Sequence, residues 1–166
     1  MIALELKASV SVDDAGTITG TAWPFGSPDR MGDVIEKGAF AKAKGPLPML
    51  AFHRPDDPVG VWTEIAETAK GLTVKGRLLI DDLARAKEVR ALVQSGAVTG
   101  LSIGFMTLKA ENRKGGGRTI RAVDLVEISL VSVPAHPGAR VTGAKSAAQA
   151  IALAEAINRA TARLRA

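Results

Sequence analysis

Apolar and polar positions alternate with a period of two through most of the first four-fifths of the chain, and clusters of Gly, Pro and Asp interrupt them. Such alternation marks half-buried strands. It predicts strands over Leu4–Val12, Thr17–Phe25, Met49–His53, Val59–Ala66, Leu72–Ile80, Val98–Lys109 and about Thr119–Val133. Asp13-Asp14-Ala15-Gly16 and Ala69-Lys70-Gly71 supply turns, and Lys114 to Gly117 reads as a hairpin tip. A polar loop over Gly26–Asp33 leads into a short helix expected near Lys37–Lys44, which Pro46 and Pro48 would end.

The period changes to that of a helix in two places. Leu83, Ala86, Val89 and Val93 form one stripe, with Asp81-Asp82 placed to cap it and Gly96 to stop it. The Ala-rich segment 147–166 forms the second, a C-terminal helix joined through a linker near Thr142–Ser146. This divides the chain into a domain over 1–143 and an appended linker and helix over 144–166. The domain is α+β in class and mainly antiparallel β.

Within the strand Thr99 to Phe105, Leu101, Ile103 and Phe105 take one face while Ser102, Gly104 and Met106 take the other. Gly100 and Gly104 strip that second face of side chains around Ser102, so a substrate backbone is expected to approach there. A serine hydroxyl needs a base to attack at neutral pH. The chain has two histidines, and His53 ends an apolar strand where it becomes loop. A third group must orient and stabilise the imidazole. Glu127 is a carboxylate in the otherwise strongly apolar run Leu125 to Val131, and Asp124 is weaker because its parity puts it on the opposite face. If Gly115-Gly116 or Gly116-Gly117 makes a two-residue turn, Ser102 faces Ser129 or Val131 and shares a face with Glu127; an odd turn would reverse that relation.

Composition narrows the classes. The 166 residues contain no Cys, which excludes disulfide scaffolds, zinc–thiolate sites and cysteine nucleophiles. No run approaches a membrane span, and a soluble protein of a reducing compartment is expected. The formal charge of +5 invites nucleic acid as a partner, yet Lys145, Arg159, Arg163 and Arg165 against Glu155 place +3 of it beyond residue 143. With aromatics at 4%, no stacking platform is visible, so neither nucleic acid nor membrane is expected as a partner. The Asp29–Asp33 loop and the Gly115–Gly117 triplet read as turn chemistry rather than metal or phosphate sites.

Four motifs in order carry a resemblance: Gly32-Asp33-Val34-Ile35 with Gly38-Ala39-Phe40; His53 with Pro58-Val59-Gly60; Gly100 to Phe105; and Glu127 to Ala135. Over roughly residues 15–140 the chain resembles the tailed-phage prohead maturation proteases, a family similar to the herpesvirus assemblins. The resemblance implies an assemblin-like β-barrel with flanking helices, Ser102 as nucleophile and His53 as general base and acid, with no cofactor and no metal. For the third position Glu127 is favoured, because a carboxylate both orients and stabilises an imidazolium, with His136 as the alternative because assemblins place a histidine there; the resemblance also points to the Ala135–Arg140 loop for oxyanion donors. The implied substrates are the scaffolding segment of a major capsid protein precursor, internal scaffold and the protease itself, cleaved inside an immature capsid in the host bacterial cytoplasm; self-association is left open. A catalytically silent scaffold-binding module and a small-molecule serine esterase are the alternatives.

Overall fold

A computed structural model describes residues 12–142. Eight strands and one helix follow in order: β1 (Thr17–Pro24), β2 (Val34–Ile35), β3 (Leu47–Ala51), β4 (Pro58–Glu67), β5 (Gly71–Leu78), α1 (Ala84–Gln94), β6 (Gly100–Asn112), β7 (Arg118–Val131) and β8 (Arg140–Val141). Seven of them close on themselves in the order β7-β3-β4-β5-β1-β8-β6, because β6 pairs again with β7; β2 adds to β7 outside the ring. The result is a closed barrel, mixed rather than wholly antiparallel: β2 and β3 each run parallel to β7.

The alternating residues decide which face turns inward. Ile18, Trp62, Leu72, Leu78, Leu101, Ile128 and Leu130 are fully buried in the barrel core. Removing each such side chain from water stabilises the fold by roughly 1.5–3 kcal/mol. Inside the core, Trp62 Nε1 donates to the Ile128 carbonyl at 2.9 Å, so the indole also pins β7 near its C-terminal end. Bulges between Thr21 and Trp23 in β1 and between Trp62 and Glu64 in β4 bend strands that would otherwise lie too flat to close.

Most strand expectations hold, and three local ones do not. The segment 37–44 is a series of turns, not a helix: Ala39, Ala41 and Ala43 N–H groups bond to Glu36, Gly38 and Phe40 carbonyls. The Glu67 carboxylate, from the end of β4, accepts the Gly38 and Phe40 N–H groups at 2.6 and 3.0 Å, and Phe40 is buried. A tertiary contact therefore overrides the local helical pattern. The helix α1 starts at Ala84 with Leu83 in the cap position and no side-chain cap, while Asp81 pairs with Arg77 instead. Its stripe of Ala86, Val89 and Val93 is buried as expected, and Gly96 follows it at a φ of 79°. The two-residue strands β2 and β8 are too short for any alternation to reveal. The expected strand Leu4–Val12, all but its last residue, and the C-terminal helix lie outside the described residues.

The β6–β7 hairpin also departs from a two-residue turn. Asn112 pairs with Arg118, so five residues form the tip, an odd number that would put Ser102 and Glu127 on opposite faces. Three register shifts follow along the ladder, the last between Gly104 and Phe105, and they restore the parity: Ser102 pairs with Ser129 and Gly104 with Glu127.

Candidate active site

The chemistry lies on the outer face of the barrel where β6, β7 and β3 run side by side. Since Leu101, Ile103, Ile128 and Leu130 belong to the core, the intervening Ser102, Gly104, Glu127 and Ser129 point the other way. All three polar side chains are nevertheless buried, and the chain after β3 folds back over Glu127 and Ser129. β3 sets this up: Leu50 pairs with Ser129 and Ala51 with Leu130, after which Phe52 and His53 turn with φ of 56° and 57°. Two consecutive non-glycine residues in the left-handed region are strained by roughly 1–3 kcal/mol each. Bonds to β7 hold them there: the Phe52 N–H donates to the Leu130 carbonyl at 3.0 Å and the His53 N–H to Ser129 Oγ at 3.1 Å.

That turn brings His53 Nδ1 to 2.7 Å from Glu127 Oε1. The hydrogen bond to the carboxylate raises the imidazole above its ordinary pKa, against the opposing effect of partial burial. The same bond fixes the Nδ1–H form of the neutral ring and leaves Nε2 as the acceptor. Ser102 pairs across the ladder with Ser129, so its hydroxyl stands one row from the His53–Glu127 pair; among the described residues no Ser102–His53 hydrogen bond is formed. Catalytic hydrogen bonds of this kind often tighten only with substrate.

The glycines that flank Ser102 also have a packing reason. A Cβ on Gly104 would collide with the Glu127 carboxylate, and one on Gly100 would lie 2.7 Å from Pro134 Cδ.

His136 is brought elsewhere. Its ring is buried, meets Trp23 edge-on with centroids 4.8 Å apart, and has Nε2 at 3.1 Å from the Ser27 carbonyl, while Nδ1 accepts the Gly138 N–H at 3.0 Å. The His136 carbonyl accepts the Ala139 N–H, so two amides of the Ala135–Arg140 loop are already committed. Asp124 is exposed opposite Met106, and because the shift between Gly104 and Phe105 leaves an extra residue in β7 it lies on the outer face with Glu127 rather than opposite it as parity predicted; among the described residues no hydrogen bond joins it to His53. The carboxylates of the Asp29–Asp33 loop are likewise occupied. Asp29 accepts the Met31 and Asp33 N–H groups, and Asp33 binds the Arg118 backbone and guanidinium, whose hydrogen bonds lower its pKa. A separate groove of about 260 Å³ over β1, β5 and β4, lined by Thr21, Glu64, Thr73 and Lys75 among others, contains none of these residues.

Ser129 is the site residue that sequence reasoning missed. It appeared only as a register partner, although a second serine two residues after Glu127, on the same strand face, is a visible signal.

The class these features define is a closed seven-stranded barrel that carries an outward-facing serine on the same face as a histidine–carboxylate pair. The family model described as caudovirus prohead serine protease matches residues 3–153, and the chain belongs to that family. It is 39% identical over 150 residues to the capsid polyprotein of Pseudomonas phage PAJU2, covering 86% of this chain and 22% of that protein. It is 34% identical over 138 residues to the prohead protease of Enterobacteria phage HK97, covering 79% of this chain and 61% of that protein. The chain thus spans only part of the length of either relative. In fold it is similar to the varicella-zoster virus protease, with a TM-score of 0.50 and 16% identity over 75% of this chain and 62% of that one.

Proposed function

We propose that this chain is a serine endopeptidase of capsid maturation, with Ser102 as nucleophile, His53 as general base and acid, and Glu127 as the orienting carboxylate. The observation that carries the assignment is the 2.7 Å bond from His53 Nδ1 to Glu127 Oε1, made on the face that also bears Ser102. His53 Nε2 takes the hydroxyl proton as Ser102 Oγ bonds to a peptide carbonyl carbon. The carbon–nitrogen bond then breaks as Nε2 returns that proton to the leaving amine, and water resolves the acyl-enzyme by the same route. Glu127 stabilises the imidazolium that exists between those transfers. Backbone N–H groups are needed for the oxyanion; in the Ala135–Arg140 loop, Gly138 and Ala139 must release their present bonds to serve.

The proposed substrates are the scaffolding segment of a major capsid protein precursor, internal scaffold and the chain itself, cleaved within an immature capsid in the host cytoplasm, a reading that membership of the prohead protease family supports. In this scheme the linker near Gly143-Ala144-Lys145-Ser146-Ala147 is a self-cleavage region. No helix among the described residues is long and apolar enough to cross a membrane.

The test is labelling by a peptidyl phosphonate together with cleavage of a co-expressed capsid precursor. Wild-type protein should do both, while Ser102→Ala does neither and His53→Ala labels at least about 100-fold more slowly. Precursor cleavage by purified, folded Ser102→Ala protein would overturn the assignment. Labelling without precursor cleavage would indicate an esterase, and neither activity would indicate a silent assembly module.

A further inference from the structure

We propose that Ser129 is a positioning residue that holds the His53–Glu127 pair in register from both ends through one hydroxyl. The inference rests on the active-site assignment above and adds a residue to it. Ser129 Oγ lies 2.6 Å from Glu127 Oε2 and 3.1 Å from the His53 backbone nitrogen. A serine hydroxyl has one proton to give and two lone pairs to receive. The backbone N–H must be the donor in the second contact, so the hydroxyl proton is directed to Glu127.

Two consequences follow from that geometry. With Oε2 held by Ser129 and Oε1 facing His53 Nδ1, both carboxylate oxygens are engaged, and together the two bonds keep the group turned toward the imidazole. At the other end, His53 stands second in the left-handed Phe52–His53 pair, a backbone state that persists only where surrounding bonds hold it. Ser129 supplies one of those bonds. The direction of the His53 side chain and the direction of the carboxylate it meets are therefore set by the same oxygen. Ser129 is fully buried with its proton committed, which separates its role from that of Ser102 across the ladder. Removing the hydroxyl strands a carboxylate oxygen and a backbone N–H at once.

The experiment uses the full chain, comparing wild type with Ser129→Ala and Ser129→Thr. Peptidyl phosphonate labelling is resolved into a maximal rate and a binding constant, and the downfield Nδ1–H resonance of His53 is followed by NMR. In Ser129→Ala the maximal labelling rate should fall roughly 10- to 100-fold with the binding constant within about threefold, and the Nδ1–H resonance should broaden or vanish. Ser129→Thr, which keeps the hydroxyl, should return the rate to within about fivefold of wild type. A wild-type rate and an unchanged resonance in Ser129→Ala overturn the proposal while leaving Ser102, His53 and Glu127 in place. If the wild-type protein itself does not label, the active-site assignment fails, and the resonance alone decides Ser129: its loss in Ser129→Ala supports positioning and its persistence refutes it.

Discussion

Gly104→Ala tests the site through a residue that itself makes no catalytic contact. A Cβ at position 104 would lie 2.9 Å from both Cγ and Cδ of Glu127, and closer to Oε1. Carbon atoms settle at about 3.5–4.0 Å, so the carboxylate must retreat by roughly 0.5–1 Å. Its bond to His53 Nδ1 starts at 2.7 Å, and that retreat carries it to the edge of hydrogen-bonding range. A hydrogen bond to a charged group is worth roughly 1.5–3 kcal/mol, or about 10- to 150-fold in rate if it is lost from the transition state. The carbon–carbon clash is with a movable side chain and the position is in a strand, so the fold should survive. Expected, therefore, is a loss of 10- to 150-fold in kcat/KM on a capsid-precursor peptide with little change in thermal unfolding. The double variant supplies the control. If the methyl acts only by displacing the carboxylate, Gly104→Ala should cost nothing further in a Glu127→Ala background. Activity of Gly104→Ala within about threefold of wild type, or full additivity with Glu127→Ala, would refute the reasoning.

Three further outcomes are expected. The raised pKa of His53 means that its neutral, proton-accepting form accumulates only above the ordinary value of about 6.5, so labelling should rise with pH through a limb above that value; Glu127→Gln should lower both the rate and the pH of that limb, and an unshifted limb would argue against the pairing. The stability from the His53–Glu127 pair runs the other way, being complete below the unfolded value and lost as pH rises through the folded one. Asp33 is depressed by Arg118, so its contribution is present above about 3.9 and lost as pH falls through the lower folded value; in denaturant titrations Asp33→Asn should flatten that acidic decline, and an identical decline would exclude Asp33 as its source. Trp62→Phe leaves the buried Ile128 carbonyl without its indole donor and should destabilise by roughly 1–3 kcal/mol, seen as a lower denaturation midpoint at unchanged slope; an unchanged midpoint would show that the bond contributes nothing.

What the sequence alone determined is whatever depends on neighbours along the chain. Period-two alternation located most of the barrel strands, because a strand buried on one face must place its apolar residues at every second position. It also put Ser102 on the face opposite Leu101 and Ile103, and made Glu127 conspicuous as a charge in an apolar run. The four ordered motifs carried the family. Tertiary structure decided the rest, since it depends on residues far apart in sequence. The parallel pairing of β3 with β7 brings His53 to Glu127, and no local pattern encodes which strands become neighbours. The Glu67 carboxylate turned the expected helix near Lys37–Lys44 into capped turns, and register shifts along β6 and β7 undid the effect of an odd hairpin tip. The choice between Glu127 and His136 as neighbour of His53 was likewise spatial: both are close to the end of β7 in sequence, but His136 packs on Trp23 and Ser27. Ser129 shows the same division within a single residue. Its face was legible from parity, whereas its two bonds exist only because a left-handed turn after β3 lays the His53 backbone across it.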